Sequence, residues 1–517
     1  MNRMKMILAC ALAGATFFGC GDDDAGDSPI PPADLGTDGG RTDMGQVDMG
    51  APVDGGPVDS GPDLGPIDLG GADLGTDGGA PAACTAPVAP GPAPTGCADP
   101  ASTTATRVVV AAAITASTTW TCNTIYVLEA ETYVENNSVL TINAGTTILG
   151  DTGALIVTQG SRIEAVGHPD APIVFTSSDL AAPTRGDWGG LVMLGSAPIN
   201  VSGGTAQVEG IAGTAARSRY GGTDNAYNCG TLRYVRVEYA GKVIGVANEL
   251  NGITLAGCGT ATTIDYVQSH GGLDDGIEVF GGSVNLKHVV VSTTEDDGLD
   301  WDLGWTGNVQ FAVLRAGDAI GEDRGFESDN NPTNQTATPI SDPQVWNVTL
   351  LGPGNTFVDT NVGMLFKNGT RASIHNALIS GYPNACFGVQ AMETANQVIS
   401  GELQVSNSVI FSCGATGTNY FAFESGAAAL PAATQTAITD AFMAAARGNR
   451  FGTDPALGDT AILDGTPDFA VPATSPLSTG GGTPPAGGFF LECADFVGAF
   501  EPGQPAWTDG WTNFAAI

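Results

Sequence analysis

The sequence predicts an all-β chain wound as a parallel β-helix, and three observations carry that expectation. A short apolar motif returns as Leu232-Arg-Tyr-Val-Arg-Val, Ile264-Asp-Tyr-Val-Gln-Ser, Leu286-Lys-His-Val-Val-Val, Val309-Gln-Phe-Ala-Val-Leu, Val345-Trp-Asn-Val-Thr-Leu, Ile374-His-Asn-Ala-Leu-Ile and Val405-Ser-Asn-Ser-Val-Ile. Its intervals are 32, 22, 23, 36, 29 and 31 residues. A glycine-led motif travels with it, as Gly252-Ile-Thr-Leu-Ala, Gly276-Ile-Glu-Val-Phe, Gly298-Leu-Asp-Trp-Asp, Gly325-Phe-Glu-Ser-Asp and Gly363-Met-Leu-Phe-Lys. After each glycine the first and third residues are mostly apolar and the second and fourth vary, the alternation of a strand with one buried face. Composition agrees, since 74 glycines and 31 prolines punctuate a chain that is 42% hydrophobic but only 14% charged. Two short strands per interval then stack coil on coil, each beside its equivalent about 4.8 Å away, and unequal intervals become unequal loops. A propeller needs four strands per blade and a steadier period of about 40 residues or more.

Residues 1–19 read as an export signal. Arg3 and Lys5 open it, an apolar core follows, and Gly19 precedes Cys20. So short a run cannot span a bilayer, which takes about 20 apolar residues. A cysteine directly after a small residue resembles the lipobox of bacterial lipoproteins. That resemblance implies cleavage before Cys20, acylation there, and attachment to a membrane through the lipid anchor only. The place implied is the outer membrane or cell surface, with the periplasmic side also open, and plain secretion is the alternative to lipidation.

Residues 20–83 form an acidic tether. Asp-Leu-Gly or Asp-Met-Gly recurs at Asp34, Asp43, Asp48, Asp63, Asp68 and Asp73, and 14 Asp stand against one Arg between residues 21 and 83. With no apolar period to bury, the segment cannot offset its ordering entropy, and like charges swell it. The whole chain carries a formal charge of −37. Bare nucleic acid and anionic membrane surfaces would be repelled by it.

Residues 84–137 are expected to cap the first end and begin the strands, residues 138–430 to form the β-helix, and residues 431–517 to form a C-terminal flank and cap. Within the last, residues 433–447 predict a helix. Phe489, Phe490, Phe496, Phe500, Trp507, Trp511 and Phe514 supply aromatic mass for the far cap. Beyond Cys10 and Cys20 there are eight cysteines, an even number that in an exported chain reads as up to four disulfides. Cys229 and Cys258 lie 29 residues apart and Cys386 and Cys413 lie 27 apart, each close to one coil, so stacking brings each pair to bridging distance. Cys84, Cys97 and Cys122 fall around the first coils, and Cys493 has no evident partner.

The stretch from Ala154-Leu-Ile-Val through Ala171-Pro-Ile-Val-Phe-Thr-Ser to Gly186-Asp-Trp-Gly-Gly-Leu resembles bacterial right-handed parallel β-helix surface proteins. So do Tyr220-Gly-Gly-Thr-Asp, Gly325-Phe-Glu-Ser-Asp-Asn and the terminal Trp507-Thr-Asp-Gly-Trp-Thr-Asn-Phe. The likeness runs from about residue 102 to the end. It implies a right-handed coil and a secreted or lipid-anchored address, in a family largely without assigned chemistry.

Alignment of the glycine-led strands gives one sharp local feature. Asp274, Asp296 and Asp323 take one stacked position, with Asp275 beside Asp297. Glu278, Asp300 and Glu327 form a file, and Asp302 and Asp329 form another that Lys367 continues. Like charges one coil apart repel by about 1 kcal/mol in water and about 3.5 kcal/mol at an effective dielectric of 20. A bound cation, Arg324 or Lys367, or raised pKa values must offset that. Ca2+ suits such oxygens, because it accepts many carboxylates in flexible geometry. Some β-helix polysaccharide lyases use a lateral acidic patch of this kind, and by resemblance Arg324 or Lys367 is the candidate base. The plainer reading makes Asp-Asp-Gly a turn signal, with aspartates accepting turn N–H groups and the file simply solvated.

Trp188 and Trp301 are expected in the core. Trp305 offers either a sugar-stacking ring or a cover for the core edge. His270, His288 and His375 fall on different coils and suggest no cluster, and G-x-S-x-G, P-loop and H-E-x-x-H motifs are absent. The function expected is binding, adhesion or envelope structure on a long face of stacked strands, with a polysaccharide or another envelope component as partner. The alternative is a calcium-dependent carbohydrate-active enzyme, a lyase or hydrolase, on the acidic flank.

Overall fold

A computed structural model describes Cys84 and residues 91–211, 215–245, 248–317, 324–354, 361–423, 429–457 and 467–515. The expected export signal, Cys20, the expected tether and Asp323 lie outside the described residues. The strands of the coils pair in parallel, each with its equivalent one coil on. One limb of the coil makes a ten-stranded sheet from Thr132–Val134 to Phe421–Ala422, and the glycine-led motif builds its middle strands.

Each coil has three limbs, where the spacing of the motifs predicted two. The difference lies in the apolar motif. Strands such as Thr263–His270 and Asn285–Ser292 are continuous, but their third motif residue drops out of the pairing register. Tyr234, Tyr266, His288, Phe311, Asn347, Asn376 and Asn407 all have φ between 47° and 60°. Each motif is therefore the last limb of one coil and the first limb of the next, joined by one left-handed residue. A non-glycine residue there costs roughly 1–2 kcal/mol. Stacking offsets it: Tyr234, Tyr266, His288 and Phe311 form a continuous pile with centroids 4.5, 4.1 and 5.0 Å apart, and such pairs contribute about 0.5–1.5 kcal/mol each. Asparagine, which tolerates this conformation through local hydrogen bonding, occupies the next three coils.

The inward rows follow the apolar motif positions. Leu232, Ile264, Leu286, Val309, Val345, Ile374 and Val405 stack in the core, as do Ile253, Ile277, Leu299, Phe326 and Met364 from the glycine-led limb. The leading glycine is required for space. A Cβ on Gly276 would lie 2.2 Å from Val291 Cγ1, and one on Gly298 would lie 2.5 Å from Leu314 Cδ2. Trp188, Trp301 and Trp305 are all fully buried. Trp305 donates to Val284 O at 3.0 Å, so the sugar-stacking option for it is overturned: the ring covers the core edge.

The two bridges inferred from coil spacing are present, Cys229–Cys258 and Cys386–Cys413, with Cα atoms 5.7 and 5.5 Å apart. Cys97 pairs with Cys122, and Cys493 finds Cys84 across a separation of 409 residues. The predicted helix forms as Ala432–Met443, followed by a 3₁₀ turn at Ala445–Arg447.

The C-terminal aromatics correct the expectation of a far cap. Residues 467–515 run as a strap along the side of the solenoid. Leu491 N donates to Gln310, Asn347 donates to Ala494 O and Phe496 O, and Asn513 N donates to Gln268. Trp507 and Trp511 meet Tyr266 edge-on. The aromatic pile and the outward-facing Val290, Val313 and Leu351 offer an apolar seam there, and Phe496, Phe500, Trp507, Trp511 and Phe514 cover it.

Candidate acidic site

The site stands on the outer face of the glycine-led limb, three coils long. Glu278 pairs with Asp300, and Asp300 with Glu327, as the motif alignment requires. Asp329 N donates to Trp301 O at 2.7 Å and Lys367 N to Ser328 O at 2.9 Å, so Asp302, Asp329 and Lys367 follow one another by single coils. The position before the glycine is filled by Asn251, Asp275, Asp297 and Arg324 in turn, as the bonds from Gly252, Gly276 and Gly298 show. Arg324 thus occupies an aspartate's place in the row. On one side the file begins where the apolar outer residues Ala256 and Phe280 end, under Ile199, Val208 and Tyr220 from the insertion after Gly190–Leu194.

Stacking brings nearly every predicted carboxylate together. Oxygens of Asp274, Asp275 and Asp296 lie within 4.8 Å of one another, and so do those of Asp275, Glu278 and Asp300, and those of Asp297, Asp300 and Glu327. The file is not simply solvated: Asp297, Glu327, Asp329 and Lys367 are buried, and Glu278, Asp300 and Asp302 are only partly open. One contact of these aspartates runs between coils rather than within a turn: Asp297 N donates to Asp275 Oδ1 at 3.0 Å.

Both cations converge on one carboxylate. Arg324 Nη1 lies 3.0 Å from Glu327 Oε2 and 3.9 Å from Asp297 Oδ2. Lys367 Nζ pairs with Glu327 Oε1 and lies 3.5 Å from Asp329. Burial pushes Glu327 up, but Arg324 and Lys367 outweigh it and hold the carboxyl at about 2. Burial works against the Lys367 ammonium, and Asp329, Glu327 and Asp300 overcome it to raise its pKa.

The remaining acids go the other way. Burial raises Asp275, Glu278, Asp300 and Asp302, and neighbouring carboxylates add to it: Asp274 for the first, Asp300 for Glu278, Glu327 for Asp300, Asp329 for Asp302. Among the described residues Asp300 Oδ1 and Asp302 Oδ1 are buried atoms with no hydrogen-bond partner. An all-carboxylate donor set fits a hard cation such as Ca2+.

Three neighbours escaped the sequence reading. Asn251, which donates to Glu278, precedes Gly252 as Asp275 precedes Gly276, so the motif alignment carried its signal. Tyr220, whose hydroxyl burial and then Asp302, Glu278 and Glu209 push up, and Glu209 itself come from an insertion with no repeat to place them. The histidines do not converge: His288 pairs with Asp265, His270 with Ser292, and His375 stacks on Trp346.

The sequence model of the pectate-lyase-like β-helix domain matches residues 112–456, about two-thirds of the chain. No curated protein and no solved structure matches it. A parallel three-limbed coil across that same span agrees with the match, and the chain belongs to the pectate-lyase-like β-helix domain family.

Proposed function

We propose that this is an exported, lipid-anchored envelope protein whose acidic flank binds Ca2+ and, through it, an extended acidic polysaccharide or envelope component without turning it over. The export signal ahead of Cys20 and the four disulfides support the address. The observation that carries the binding role is the engagement of both candidate bases by Glu327. A base must arrive deprotonated and within reach of the proton it removes. The surrounding acids hold Lys367 protonated, and an arginine ion-paired at 3.0 Å is a poor proton acceptor. We take the glycine-led limb as the binding face, because the strap covers the aromatic seam elsewhere on the solenoid.

The carbohydrate-active reading keeps one specific support besides the family. Asp300 is pushed up and Glu327 held down within one 4.8 Å cluster, the split that separates an acid from an anionic partner in glycoside hydrolysis. Incubation with uronate polymers decides between the two. Binding that chelation abolishes, with intact polymer recovered, supports the first; chelator-sensitive unsaturated products, or new reducing ends, support the second.

A further inference from the structure

The strap is held in two unlike ways. Polar main-chain contacts fix it over the asparagine coils, where Asn376 Nδ2 donates to Gly482 O at 2.8 Å and Gly482 N donates back to Asn376 Oδ1 at 2.7 Å. Beyond Cys493 it crosses the aromatic pile, ending at His270 Nε2 and Ala515 O, 3.1 Å apart. Cys493 itself is exposed and Cys84 half-buried. Cys229, Cys258, Cys386 and Cys413 are each at most 1% exposed inside the solenoid core. The bridge that pins the strap is therefore open to a reagent that cannot reach the two bridges of the core.

We propose that Cys84–Cys493 is a reducible lock on the C-terminal strap, which a dithiol reductant opens ahead of the two core bridges and while the coils stay folded. The reductant's thiolate attacks the exposed Cys493 sulfur and Cys84 leaves as a thiolate that takes up a proton. The reductant's second thiol then resolves the mixed disulfide. Two electrons pass to the protein, leaving two cysteine thiols, and the dithiol departs as its own disulfide. Opening the bridge removes the effective concentration that keeps the strap seated and lets it lift from Tyr234, Tyr266, Val290, Phe311 and Val313. The seam changes from covered to open without a change in the solenoid.

Hydrogen exchange on the full oxidised chain, before and after mild dithiol treatment and with cysteines mapped by alkylation, tests this. Cys84 and Cys493 should alkylate before the core cysteines. Amides of residues 482–515 should then exchange about a hundredfold faster, Trp507 and Trp511 emission should shift red, and the glycine-led strands should stay protected. Cys493→Ser should show the same exchange pattern without reductant, and Cys97→Ser should leave the strap protected. Unchanged strap exchange with both cysteines alkylated would overturn the lock. So would core cysteines reacting first, or protection lost from coils and strap together.

Discussion

The outer faces of the solenoid divide into one that is closed and one that is not. Under the strap, Asn347 and Asn376 bond strap carbonyls, Gln268 binds Asn513, and Glu238 pairs with Arg236 at 2.9 Å, while among the described residues Trp346 Nε1 is the kind of neutral group left without a hydrogen-bond partner. On the glycine-led limb the coils stack nine carboxylates against Arg324 and Lys367, with Asp300 Oδ1 and Asp302 Oδ1 lacking hydrogen-bond partners among the described residues. Both faces come from the same repeat. Where polarity is satisfied inside the chain it serves the fold, and where it is left over it calls for something from outside.

The largest effect expected on this contrast is at Lys367. Lys367→Met removes one of two cations from the recess, and breaking a buried pair costs about 3–5 kcal/mol. Urea unfolding in chelator should show the loss, with added Ca2+ restoring part of it; a loss that Ca2+ does not touch would mean the recess needs lysine alone. Next is Asn376→Ala on the closed face, expected to cost about 2–3 kcal/mol by leaving strap groups unpaired and an alanine in a left-handed bend. Its loss should be indifferent to Ca2+, and a calcium-dependent loss would erase the distinction between the faces.

The pH dependence has a definite sign. Asp275, Glu278, Asp300 and Asp302 have pKa values raised in the fold, so the folded state holds protons that the unfolded chain has released. Their contribution is fully present below the unfolded value of about 4 and is lost as pH rises through the raised values, at up to about 1.4 kcal/mol per pH unit per proton. Glu327, held at about 2, contributes fully above its unfolded value and loses that contribution as pH falls from there through about 2. Melting in chelator should therefore be higher near pH 5 than near pH 8, and Ca2+ should flatten the difference. The smallest effect is at His288→Phe, which preserves the aromatic pile and should cost less than about 1.5 kcal/mol; a larger loss would show that the Asp265 contact, not stacking, holds the seam.

The repeat made the core rows, the parallel stacking, two of the disulfides and the carboxylate files legible, because each depends only on which residues share a phase. The left-handed hinge was hidden by its occupants. Tyr234, Tyr266 and Phe311 are bulky residues that seldom adopt that bend, and only their vertical neighbours explain why they do here. Asn347, Asn376 and Asn407 were the readable hint. The strap and the Cys84–Cys493 bridge were not legible, since their partners lie far off in sequence and obey no period. Trp305 stayed open between two options for the same reason: its position in a loop says nothing of Val284 O waiting beside it.

Calorimetric titration of the chelated protein with Ca2+, beside the Asp300→Asn/Asp302→Asn variant, tests the central claim most directly. Saturable uptake that raises the melting temperature, and that the variant largely loses, is the predicted result. No uptake by the unaltered protein, or equal uptake by the variant, would contradict a calcium site on the stacked carboxylates.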